Sequence, residues 1–252
     1  MMASRVKRFL LLCFVTIGGL SWIDLPQATA QTNEQILTQV AIFFRSARKV
    51  ISDNQGLINE QRSGKNLTAA RVIRDAKKNY RNASGKSLPR TNRRTLLGRL
   101  IQAELEAVEE VMNNAQGLIN DPNLGFKGFL PAVFAKKVAD AFRQRVGTEA
   151  YIKLTAPREW IRNRANRPDR WERNVIKQYF QAGNWEKGKP YTETTSLKGR
   201  KAFRLIIPEY YAPSCLGCHG EPKGAIDITG GKKEGGTLGE LGGAISTGIF
   251  LQ

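Results

Sequence analysis

Lys201-Ala202-Phe203-Arg204-Leu205-Ile206-Ile207-Pro208-Glu209-Tyr210-Tyr211-Ala212-Pro213-Ser214-Cys215-Leu216-Gly217-Cys218-His219 holds a strand and a site in one stretch. Residues 201–211 are mostly apolar and aromatic and read as a strand. Pro213 ends it, because proline has no amide to pair. Cys215-Leu216-Gly217-Cys218-His219 then gives C-x-x-C-H, the signature of covalent haem attachment. On a helical turn, positions i, i+3 and i+4 share one face. Two thiols so placed can meet the two vinyl-derived carbons of a macrocycle while the imidazole lies under its iron. Cys215 and Cys218 are therefore the expected attachment points of one haem c, and His219 its proximal iron ligand. Ser214 is expected to cap the turn.

Rival readings of this motif meet specific obstacles. A redox C-x-x-C has no use for the adjacent histidine and normally sits on a βαβ pattern that is missing here. Zinc needs a fourth ligand, and beyond residue 30 the chain has no other cysteine or histidine. A lone structural disulfide leaves His219 unexplained. For the sixth iron position the same scarcity applies. His219 is the only histidine, which excludes bis-histidine ligation. Met112 is the only methionine past the leader, so the candidates are Met112, a lysine, a tyrosine, a backbone group, water or nothing. Met112 lies on the apolar face of a helix, where a core role competes with ligation.

Upstream of the strand the pattern is helical. Ile36, Leu37, Val40, Phe44, Ala47, Val50 and Ile51 fall at helical spacing in a helix expected over residues 32–59. A second amphipathic stretch covers 67–80, and a third runs from Thr91 to about Ala115. Val50 to Glu60 aligns with Val111 to Asp121, both segments carrying Gln-Gly-Leu-Ile-Asn and an acid. Gly56 and Gly117 are expected to stop their helices in the left-handed conformation. From Pro131 the pattern changes: a helix to Arg145, a strand near 149–155, a helix after Pro168-Asp169, β runs at 189–197 and 201–211, a glycine-rich irregular loop at 220–239, and a closing strand at 243–251. The sum is an α+β protein: a leader over 1–30, an N-terminal helical extension over 31–94 and a domain over 95–252.

The leader has the three parts of a secretory signal: Arg5, Lys7 and Arg8, an uncharged run from Phe9 to Ile23, and Ala28-Thr29-Ala30 before the cut. A retained anchor is the alternative, but the run is short of the ~20 residues a span needs. Cys13 goes with the leader. Export to the periplasm or a thylakoid lumen also suits covalent haem, which is attached outside the cytoplasmic membrane. The net charge is +18, with apolar residues at 41%. Export argues against nucleic acid as the partner. A basic surface there suits an anionic membrane, an acidic redox or signalling protein, or haem propionates.

Several blocks together resemble a known family of single-haem c-type domains with a PAS-like fold, long known only as a domain of unknown function. The residues are Leu118 to Pro122 with Gly125 to Phe129; Arg162-Asn163, Asn166, Pro168-Asp169 and Trp171-Glu172; Phe203-Arg204 and Pro208 ahead of Cys215 to Gly220; and Gly242 to Ile249. The resemblance covers residues 95–252. It implies a PAS-like antiparallel sheet with flanking helices and the haem lodged against it. Some members stand alone; others are exported sensor halves of histidine kinases. Some use a cysteine thiolate as distal ligand, which this chain cannot offer past its leader. Asp169 is expected as a helix cap, Trp171 as core, and Arg162 as a partner of Glu172 or a propionate.

Two functions are expected to compete. The first is redox or ligand sensing and signalling, expected to work through a separate partner, since no output module is read up to Gln252. The second is a small electron-transfer cytochrome docking on an acidic redox partner. Enzymatic activity is not expected: no paired acid and base, and no distal catalytic histidine, stands out.

Overall fold

The computed structural model describes residues 31–183 and 185–251. The expected leader lies outside the described residues. Among these residues, no helix is long and apolar enough to cross a membrane.

Helix α1 spans Asn33–Asp53. Its start is set by a capping box: Thr32 Oγ1 accepts from the Gln35 amide at 3.2 Å, and Gln35 answers to the Thr32 amide at 3.0 Å. Leu37, Val40, Phe43, Phe44, Ala47 and Ile51 are buried at helical spacing. Each of the larger ones contributes about 1.5–3 kcal/mol on leaving water. The helix breaks at Asn54 and resumes as the short α2, Gln55–Asn59. Helix α3 spans Ala69–Ser84, opened by Thr68 and closed by Gly85 at φ 69°. Helix α4 runs Leu96–Ile119 behind a Thr95 cap, and α5 runs Pro131–Val146 with proline in its first turn.

Gly56 and Gly117 do not stop helices; they lie inside α2 and α4. The helices run on to Asn59 and Ile119. Asn59 and Asn120, equivalent in the two similar segments, make reciprocal bonds. The Lys65 amide donates to Asn120 Oδ1 and the Lys127 amide to Asn59 Oδ1, both at 3.0 Å. Lys65 Nζ is buried and donates to the carbonyls of Ile58 at 2.8 Å and Ile119 at 2.5 Å. One ammonium thus satisfies terminal acceptors of both segments, which helix ends leave unpaired.

Four strands follow: β1 (Ala150–Thr155), β2 (Tyr191–Leu197), β3 (Arg200–Tyr210) and β4 (Leu241–Phe250). They form one antiparallel sheet in the order β1-β4-β3-β2. Lys198 and Gly199, both at positive φ, turn β2 into β3. Alternation along β3 separates two faces. Phe203, Leu205 and Ile207, with Ile245, Ile249 and Ile152, pack on the helices in one core that draws on residues from both sides of position 95. Ile206 and Ala244 face the other way, against α6 (Arg170–Val175) and the widened π turn at Ile176–Phe180. The chain is therefore α+β, a PAS-like antiparallel sheet with flanking helices behind an N-terminal helical segment.

Asp169 caps α6 as expected, in a capping box with Glu172. Trp171 is half-buried against the second core, its Nε1 donating to Glu193 Oε2 at 2.6 Å. Glu172 does not meet Arg162. Its carboxylate takes Arg204 at 3.3 Å and Lys153 at 2.9 Å. Arg204 is buried on β3 and also holds Asp169 at 2.7 Å and the Tyr151 hydroxyl at 2.8 Å.

Candidate haem site

The β3 strand ends at Tyr210, and Pro213–Cys215 form a 3-10 turn that runs into the one-turn helix α7, Leu216–His219. Cys215, Cys218 and His219 therefore share one short helical segment, and both thiols are free and partly exposed. Ser214 is not the cap. Ala212 and Cys215 occupy the cap positions without side-chain bonds, and Ser214 Oγ instead pairs with Ser52 Oγ of α1 at 2.8 Å. The end of α1 is fixed to β3 as well. Arg45 reaches Glu209 Oε1 at 2.5 Å and the Pro208 carbonyl at 3.2 Å, and Arg48 takes Glu209 Oε2.

The glycine-rich loop 220–240 folds back over the turn. The Gly236 amide donates to the His219 carbonyl at 2.8 Å. Glu234 Oε2 lies 2.7 Å from His219 Nδ1. A carboxylate only accepts, so the contact fits the tautomer with its proton on Nδ1, the form in which Nε2 carries the lone pair. Behind the imidazole, the Tyr211 ring stacks at 5.6 Å and 22°. Burial, with the Glu234 charge behind it, pushes the Tyr211 phenol up to about 12. Two glycines make room for that ring: a Cβ on Gly236 would fall 2.2 Å from Tyr211, and one on Gly242 would fall 2.7 Å away.

Arg162 ties the loop to the turn. Its guanidinium donates to the Cys218 carbonyl at 2.9 Å, the Lys232 carbonyl at 3.1 Å and Glu234 Oε1 at 3.2 Å, and it pairs with Asp227. Burial raises the Asp227 carboxyl, but hydrogen bonds from Thr229 and Arg162 outweigh it and hold the group well below the usual carboxylate range. Burial also pushes the Cys218 thiol up, with the Asp227 charge adding to it.

This donor set fits a covalently held haem: two free thiols, an imidazole anchored through Nδ1, and a free Nε2. Ile226, Ile228 and Leu238 add exposed apolar side chains from the same loop. When bound, haem would supply one-electron or gas-binding chemistry at its iron. Met112 lies elsewhere, fully buried in the helical core on α4.

Sequence reasoning did not single out Glu234 or Tyr211. Glu234 is one of four acids in the loop 220–240, so nothing local in the sequence set it apart.

Fold and site together define an α+β domain that presents a two-cysteine, one-histidine turn from the end of an antiparallel sheet. A family model described as Tll0287-like matches residues 26–249, and the chain belongs to that family. The match takes in the N-terminal helices as well as the sheet. No curated protein and no solved structure is significantly similar to the chain.

Proposed function

We propose that this is an exported c-type haem protein that senses redox state or a small ligand. One haem c is held by thioethers to Cys215 and Cys218, with His219 Nε2 on the iron. The observation that carries the reading is the turn itself: both thiols and the imidazole on one short helical segment, with Nδ1 bonded at 2.7 Å and Nε2 free. Membership of the Tll0287-like family supports it. So does the lack of a strong sixth ligand. Histidine is spent, both cysteines past the leader belong to the motif, and Met112 is enclosed in the core. An open or weakly filled position suits sensing, whereas methionine ligation raises the potential and suits electron transfer. The sequence pattern of residues 1–30 supports an exported location, in the periplasm or a thylakoid lumen. Binding and redox change, rather than catalysis, are its assigned chemistry.

The test is the visible spectrum of the reduced holoprotein with and without carbon monoxide. We expect c-type bands that shift on adding the gas. Purified exported protein without covalent haem would overturn the reading, and haem indifferent to carbon monoxide would transfer it to the electron-carrier alternative.

One surface favours that alternative. Residues 70–94, covering most of α3 and the loop to α4, carry nine basic residues and one acid. Asp75 is engaged by Arg71 and Arg74, while exposed Lys77, Lys78, Arg81, Lys86, Arg90 and Arg94 have no acidic partner among the described residues. Such a band would steer an acidic redox protein or an anionic membrane surface onto this side.

A further inference from the structure

We infer that Glu234 is a positioning residue that tunes the iron's proximal ligand: by accepting the Nδ1 proton of His219 it makes the imidazole a stronger donor and holds the haem potential down. The inference rests on the haem reading above and deepens it.

The geometry has four parts. The Nδ1 to Oε2 distance is 2.7 Å, short enough for a charge-assisted bond. Glu234 is nearly enclosed, its side chain 10% exposed against 37% for the imidazole, so the carboxylate is held by protein partners on its own side of the contact. Arg162 holds its other oxygen at 3.2 Å and reaches Oε2 more weakly at 3.4 Å, and Arg162 is itself fixed to Asp227 and to the Cys218 and Lys232 carbonyls. Finally, the Tyr211 stack at 5.6 Å and the Gly236 bond to the His219 carbonyl at 2.8 Å keep the ring from turning away.

A competing account is that Arg162 cancels the Glu234 charge, leaving an ordinary loop ion pair. The balance argues otherwise. Arg162 is shared between Glu234 and Asp227, one cation between two carboxylates. This leaves the three-residue cluster net negative. A carboxylate behind a ligating histidine raises its basicity. Greater electron donation stabilises ferric over ferrous iron, and outer hydrogen bonding is one of the protein's levers on haem potential.

The experiment compares wild-type holoprotein with Glu234→Gln and Glu234→Ala. Covalent haem is read first on a denaturing gel. Midpoint potential by mediated titration and the iron–histidine stretch of the ferrous form are then read on the same samples. We expect wild-type haem content in both variants, a positive shift in potential and a lower stretching frequency. Glu234→Gln keeps the side-chain shape, so it remains informative if Glu234→Ala does not fold. Unchanged potential and stretch at full haem content would overturn the inference while leaving the haem reading intact. Loss of haem in Glu234→Gln would reduce the residue to a structural prop and overturn it too. Wild-type protein without covalent haem removes both.

Discussion

Arg162 Nη2 lies 2.9 Å from the main-chain oxygen of Cys218, so a side chain from the loop after β1 holds the motif's helical turn in place. The same guanidinium compensates Asp227, whose side chain is fully buried. Arg162→Ala would leave that carboxylate enclosed without its cation, held only by hydrogen bonds from Thr229 and Gly231. We expect a loss on the order of 2–3 kcal/mol, between the exposed-pair and buried-pair limits. Arg162→Lys should restore only part of it, because an ammonium cannot span the fork. Urea unfolding of the three proteins checks the ranking; equal midpoints would contradict it.

Asp227 also gives a pH signature. Its folded-state titration lies below the unfolded value near ~3.9, so its contribution is present above that value. It is lost as pH falls from there through the folded value. Asp227→Asn should therefore flatten the acid limb of stability below about pH 4. Thermal melts from pH 6 downward measure this, and parallel limbs would refute it.

Glu104 behaves oppositely. It is buried on α4 and neither carboxyl oxygen has a partner. Burial raises its titration well above the ordinary range. A raised folded value means stability is greatest below the unfolded value, near ~4.3, and declines as pH rises from there towards the folded value. Glu104→Met should remove that decline and stabilise the protein at pH 7 by about 1–3 kcal/mol. Chemical denaturation at pH 5 and pH 7 is the measurement, and a destabilised variant at pH 7 would show that the carboxyl has a role in the fold.

Two glycines should respond in opposite directions to the same change. Gly117 lies exposed inside α4 with open space at its Cβ position, so Gly117→Ala should stabilise by about 0.5–1 kcal/mol. Gly236→Ala places a methyl 2.2 Å from Tyr211 and must push that ring out of its stack on His219. A loss of about 1–3 kcal/mol is expected. Differential scanning calorimetry of the pair decides it; shifts of the same sign would contradict the packing account.

The sequence was most legible where local chemistry decides structure. Asp169 with Glu172 three residues on forms its box, Pro131 opens α5, and the alternation at 201–211 is β3. Cys215, Cys218 and His219 share a helical segment because their spacing is a property of the helix. Reading failed where partners are distant. Arg162 was expected to bond Glu172 or a propionate; Glu172 instead meets Arg204 on β3, a pairing made only by the packing of α6 against the sheet. Gly56 and Gly117 resembled helix stops, yet a reciprocal long-range contact between Asn59 and Asn120 segments closes those ends and leaves both glycines helical. Ser214 lost its capping role to a hydroxyl on a helix more than a hundred residues upstream.

Helix α1 grips the approach to the C-x-x-C-H turn at two points, Glu209 through Arg45 and Arg48, and Ser214 through Ser52. Its 21 residues make a rod roughly 30 Å long. Buried residues along its length, from Ile36 to Ile51, seat that rod in the core, and Glu209 belongs to β3, so the helix and the sheet form one rigid seat for the turn. The approach to His219 is thereby braced from a segment that stands at the opposite end of the sequence.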